Sequence, residues 1–194
     1  MKQTILLLLL IFVALSNCDG RQSNNTSLSK SIEKFNKDFK AEIITYEPKD
    51  FITTEVDTTM SNGYKVNIKT YTDLENSVDY SDVKDSINYI TRYRNYKFNI
   101  KVERYGQLIY EETFDKAKAN KTLGYNPNFS PDSPFYDFDK LAVLKSIEID
   151  DEPSIKDSVM INVIYAIPNT NRLANHTIFI NQDGTTNAVH VKIN

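Results

Sequence analysis

Alternation of apolar and polar positions dominates the chain beyond residue 50. Within residues 93–104, Tyr96, Phe98, Ile100 and Val102 alternate with Lys97, Asn99, Lys101 and Glu103. A strand with one face in a core and the other in water has this pattern. Val159, Ile161, Val163 and Tyr165 repeat it until Pro168 interrupts. Residues 51–58 and 64–71 flank Ser61-Asn62-Gly63, and in the second arm Tyr64, Val66 and Ile68 share one face. This predicts a hairpin in which Asn62 and Gly63 supply the positive φ angles of a tight turn. Tyr105-Gly106-Gln107 leads from 93–104 into 108–114, and Asp183-Gly184 joins 177–180 to 188–193 in the same manner.

Helical periodicity is weaker. Ile32, Phe35, Phe39 and Ile43 recur at helical spacing over residues 29–43, with Pro48 as the stop. Residues 137–146 fit a short helix around Phe138, Leu141, Ala142 and Leu144. The acidic segment 73–85 reads as a loop or short helix. Residues 115–134, punctuated by Gly124, Pro127, Pro131 and Pro134, read as an extended loop. The fold expected from about seven strands and one or two short helices is mainly β, an antiparallel sandwich or curled sheet. The alternative is an α+β arrangement with the N-terminal helix packed on an antiparallel sheet.

The amino terminus is different. Lys2 precedes an apolar run over residues 5–15, shorter than the about 20 residues that span a bilayer as a helix, which marks a signal peptide. Leu15-Ser16-Asn17-Cys18 follows at once and resembles the lipobox of bacterial lipoproteins. The resemblance implies thioether attachment of diacylglycerol to Cys18, cleavage before it, and acylation (palmitate-type chains) of the new amine. Each buried methylene would contribute roughly 0.8 kcal/mol to anchoring. It also implies a cell-envelope protein of a Gram-negative bacterium, held at a membrane, expected to be the outer one, facing periplasm or surface. The organisation expected is a signal peptide at 1–17, a lipidated polar tether at 18–30 and one β-rich globular domain at 31–194.

Composition narrows the chemistry. The chain has 194 residues, 40% hydrophobic and 25% charged, with a formal net charge of -3. The acidic balance removes the general basic field of a nucleic-acid binder, so no nucleic-acid partner is expected. One cysteine excludes an intrachain disulfide. Gly-x-Ser-x-Gly, Walker and dinucleotide motifs are absent from the sequence, and no cofactor or metal is expected. The acids Asp73, Glu75, Ser77 and Asp79 fall at calcium-loop spacing with a serine among them, but Val78 and Lys84 occupy the positions that require Gly and Glu. His190 alternates with Val189 and Val191 and reads as solvent-facing, and His176 approaches it if the strands flanking Asp183-Gly184 pair.

Residues 89–105 carry five cations against one acid, interleaved with aromatics. The regular alternation accounts for most of them, which leaves Tyr89, Arg92 and Tyr93, together with Tyr125, as the candidate exposed binding surface. Asp57-Thr58-Thr59, Asp85-Ser86-Ile87 and Asp157-Ser158-Val159 resemble the Asp-Ser/Thr-apolar sites of a periplasmic O-glycosylation system. The expected function is a membrane-anchored, non-enzymatic binding or assembly module, its partner an envelope protein or glycan. The alternatives are a glycan-recognition module stacking sugars on Tyr89, Tyr93 or Tyr125, and a hydrolase drawing on Asp79 or Asp82 with Asp150.

Overall fold

A computed structural model describes residues 29–31, 34, 41–85, 87–152 and 155–191. Among the described residues nine strands form two sheets: β1 (Ala41–Glu47), β2 (Thr53–Thr59), β3 (Tyr64–Lys84), β4 (Ile87–Arg104), β5 (Gln107–Phe114), β6 (Val143–Asp150), β7 (Ser158–Ala166), β8 (Leu173–Asn181) and β9 (Thr186–Val191). Two helices, α1 (Lys116–Leu123) and α2 (Phe138–Leu141), lie between β5 and β6. The first sheet has the order β1-β4-β3-β2, with β5 also on β4, and the second has the order β6-β7-β8-β9. The fold is mainly β, as the alternation required.

The chain divides into two compact units, Met1–Ile43 with Val83–Asn88, and Ile44–Asp82 with Tyr89–Asn194. In the described part of the first unit, Asn88 Nδ2 donates to Glu42 Oε1. The second unit carries the core. Tyr64, Val66, Phe98, Ile100 and Val102 from the first sheet join Val159, Ile161, Val163, Ile178 and Ile180 from the second in one buried cluster. These side chains alternate along their strands, so each sheet contributes one apolar face to a shared core.

The predicted turns hold, with one adjustment. β2 and β3 pair antiparallel with Val56 opposite Ile68 and Thr59 opposite Lys65. Gly63 alone has positive φ there, at 85°; Asn62 instead donates from Nδ2 to the Ile155 and Ser158 carbonyls. Tyr105 and Gly106 both take positive φ between β4 and β5, and Gly184 does so between β8 and β9.

Several expectations are corrected. The described residues hold nine strands, not about seven, because β1 and β6 occupy segments read as helical. Residues 29–31 and 34 are helical, but 41–43 belong to β1, and Pro48 ends that strand. Between them lie positions outside the described residues. In 137–146 the helix is the single turn of α2, and Val143 already starts β6.

The acidic segment 73–85 is neither loop nor helix but the second half of β3. Few of its side chains are buried, which is why alternation failed there. Cross-strand contacts to β4 hold it instead, through Asp79 to Arg92 Nε at 3.2 Å and the edge-on rings of Tyr80 and Tyr93. Residues 116–123, expected as loop, are α1. Asp115 caps it by accepting from the Lys118 N–H at 2.8 Å, and Gly124 ends it in the left-handed region.

One pair departs from the antiparallel rule. Glu42 meets Asn88, Thr45 meets Thr91, and Tyr46 meets Arg92. Partners advance together along both strands, so β1 runs parallel to β4.

Candidate functional site

Cys18 lies outside the described residues. Of the four candidate surface residues, three sit on β4. Tyr89 is 38% exposed. Arg92 is committed to neighbours: its Nε pairs with Asp79, and its Nη1 donates to Tyr46 Oη at 3.1 Å. Arg94 stacks on the same Tyr46 ring, 4.6 Å from its centroid. Tyr93 is half-buried, with its hydroxyl 3.1 Å from Asn169 Oδ1.

Tyr125 is not a surface residue. It is 5% exposed, packed among Phe135, Phe138, Tyr165 and His176. It follows the Gly124 cap and packs against Tyr165 of β7 and His176 of β8. The proline-punctuated segment 115–134 read as an extended loop, yet its Tyr125 joins Phe135 and Phe138, just beyond it, in covering the core.

The two histidines beside this cover are direct register partners across β8 and β9, with ring centroids 4.9 Å apart. His190 is exposed, but Val189 and Val191 are exposed too, so the expected alternation does not hold in β9. His176 is 4% exposed and lies within β8. Its Nδ1 lies 3.1 Å from Tyr125 Oη, a hydrogen bond whose direction follows the imidazole tautomer. Burial, reinforced by His190, lowers the His176 pKa to about 4. Burial likewise pushes the Tyr125 phenol above its ordinary range. A neutral imidazole and a neutral phenol are the forms such a packed environment favours. Lys116 has a related setting: it donates to the carbonyls of Phe138 and Ala142, and burial lowers its pKa to about 8.

The acids of the hydrolase alternative are engaged separately. Asp79 pairs with Arg92, and Asp150 accepts from Asn162 Nδ2 at 3.3 Å. Asp73 is buried and organised within β3: its Oδ1 accepts from the Glu75 N–H and its Oδ2 from Asn76 Nδ2. Burial would raise its carboxyl, but these hydrogen bonds and the Lys97 ammonium outweigh it and hold the pKa below the usual value. Among the described residues, no group of three or more His, Cys, Asp or Glu is placed to hold a metal ion.

The hollows lie elsewhere. One, over the outer face of β2, β3 and β4, is lined by Glu55, Asp57, Lys65, Asn67, Lys101 and Glu103. Its charges are largely satisfied among themselves, by Lys65 with Asp57, Lys101 with Glu103, and Asn67 with Glu55.

Two others adjoin along the side of the second unit, where β2 ends one sheet and β6 ends the other. Their volumes are about 340 and 450 Å³, and both are lined by Ile147 and Glu148. One wall comes from Ile52, Thr54, Val56 and Thr58, the other from β6, with Ile68, Met60 and Tyr96 among the lining. The loop after β2 is tied to the segment after β6, since Ser61 Oγ donates to Asp151 Oδ1 at 2.8 Å. This seam was not read from the sequence. Ile147 and Ile149 show the right spacing, but nothing local marks a strand as the last in its sheet.

Protein-family models give no match to this chain, and curated proteins give none either.

Proposed function

We propose that this chain is a lipid-anchored envelope lipoprotein whose β-rich part binds another component of the envelope and catalyses nothing. The seam between β2 and β6 carries this reading. It presents apolar side chains beside two terminal strands, whereas His176 and Tyr125 are packed among aromatic rings and Asp73 is tied into hydrogen bonds within β3. The lipobox-like Leu15-Ser16-Asn17-Cys18 supplies the anchor, and the polar residues after it supply the tether that gives the domain reach. In this reading the anchor sits in the outer membrane, with the domain facing periplasm or surface. A glycan partner is less well supported, because burial of Tyr125 and the Tyr93 contact to Asn169 leave Tyr89 as the free ring of the proposed stacking set.

Metabolic labelling with an alkyne fatty acid, followed by membrane fractionation, tests the anchor. The native chain should carry label and sediment with membranes, while Cys18→Ala should lose the label and become soluble. A Cys18→Ala chain that still carries label and sediments would overturn the reading.

A further inference from the structure

Resting on the binding-module reading, we propose that the seam between β2 and β6 accepts an extended, basic segment of a partner protein as an added β-strand. Among the described residues, β2 and β6 each have one neighbour in their sheets, β3 and β7. Each therefore presents a row of main-chain donors and acceptors on its free edge, a ready template for a further strand.

Sheet edges are commonly protected by a charged side chain pointing inward, by proline or by a short strand. β2 lacks these on its seam side: Ile52, Thr54, Val56 and Thr58 carry no charge there, and β2 runs for seven residues. Val56 is 50% exposed and Ile52 42% exposed, a poor arrangement for solvent but a good one for the alternate side chains of a docked strand. Ile147 and Ile149 face them from β6.

The seam's charge selects the partner. Of the charged side chains that line the two hollows, Glu148 and Asp151 are acids, against Lys145 as the cation. An incoming strand with apolar residues at every second position and Lys or Arg between them would place the first set in the hollows and the second beside the acids. The Ser61–Asp151 tie fixes one end of the seam beforehand, which lowers the ordering cost of binding.

The test uses the full-length chain in neutral detergent micelles and a fluorescein-labelled peptide of alternating Lys and Val, read by anisotropy. Saturable binding is expected. A Lys-Lys-Val-Val repeat of equal charge and an alternating Glu-Val peptide should each bind at least about tenfold more weakly. Val56→Lys and Ile147→Lys should each weaken binding of the Lys-Val peptide by about tenfold or more, and Leu173→Lys on β8 should leave it unchanged. Circular dichroism establishes that each variant is folded; Val56 is exposed enough to tolerate the change.

Absent binding, binding indifferent to both seam variants, or equal binding of the acidic peptide would overturn the proposal. So would sedimentation showing that the native chain dimerises and Val56→Lys does not, because a second copy would then fill the seam. The assay does not depend on Cys18. A chain that fails here but passes fractionation loses the seam and keeps the anchor, and the converse result separates them the other way.

Discussion

Gly184 meets two constraints at once. Its φ is 79°, and a Cβ built there would lie 2.4 Å from the Ile109 carbonyl oxygen. Gly184→Ala should therefore destabilise by about 2–4 kcal/mol, as strain and overpacking add. Gly63→Ala is the matched control. Its φ is 85° with open space around it, so it should cost only about 1–2 kcal/mol. Equal urea midpoints for the two variants would refute the close-approach argument. His176 supplies a pH signature. Its imidazole has a pKa of about 4 in the folded chain against its ordinary 6.5. Between those values the unfolded chain binds a proton that the folded chain refuses, so stability is full above pH 6.5 and falls as pH drops toward 4. A loss of about 1–3 kcal/mol is expected across that window. Urea titrations of the native chain and His176→Phe check it, the variant having the shallower dependence. The Asp73 carboxyl acts in the same direction but lower, its folded pKa lying below 3.8. Local sequence did place His176 and His190 on neighbouring strands. It did not reveal that His176 would be buried, because that depends on Tyr125 and Phe135 folding back over the sheet.

Elements were legible in proportion to how completely one face was buried. β4 in its second half and all of β7 alternate with every inward position in the core, and both were predicted. β3 beyond residue 72 was missed because a strand held by cross-strand polar contacts imposes little apolar pattern on its sequence. α1 was missed for a related reason: it buries only Ala119 and Leu123, one turn apart, too few for a periodic signal. Its ends are nevertheless written locally, as Asp115 and Gly124. Asp115→Ala should cost about 1 kcal/mol, since the Lys118 N–H then loses its acceptor. Thermal melts compare this variant with Asp115→Ser, which restores an oxygen and should recover most of the loss. An Asp115→Ala melt indistinguishable from the native one would show that the cap contributes nothing.

For the whole molecule, stability rests on the core shared by the two sheets. Ile161 is fully buried on β7, and Ile161→Ala should cost about 2–5 kcal/mol, the lost burial plus the cavity left behind. Chemical denaturation measures this, and a cost below about 1 kcal/mol would show that the site is loosely packed. The same assembly produces the seam: two sheets that share a core on one face of each strand still leave their terminal strands side by side without a hydrogen-bonded bridge. Binding at the seam should raise the denaturation midpoint when the alternating Lys-Val peptide is present, through ordinary mass action on the folded state.

The sequence by itself determined that the chain is β-rich, where three of its turns fall, and the lipobox-like segment that nominates Cys18 for lipid attachment. These are properties of residues a few positions apart, governed by backbone sterics, period-two alternation and short motifs. Only the tertiary structure decided which strands end their sheets, that Tyr125 is core, that β1 runs parallel to β4, and that β2 and β6 frame an apolar seam. Those outcomes depend on which distant segments meet. A seven-residue strand has the same local pattern whether a neighbour pairs with its second edge or leaves it open.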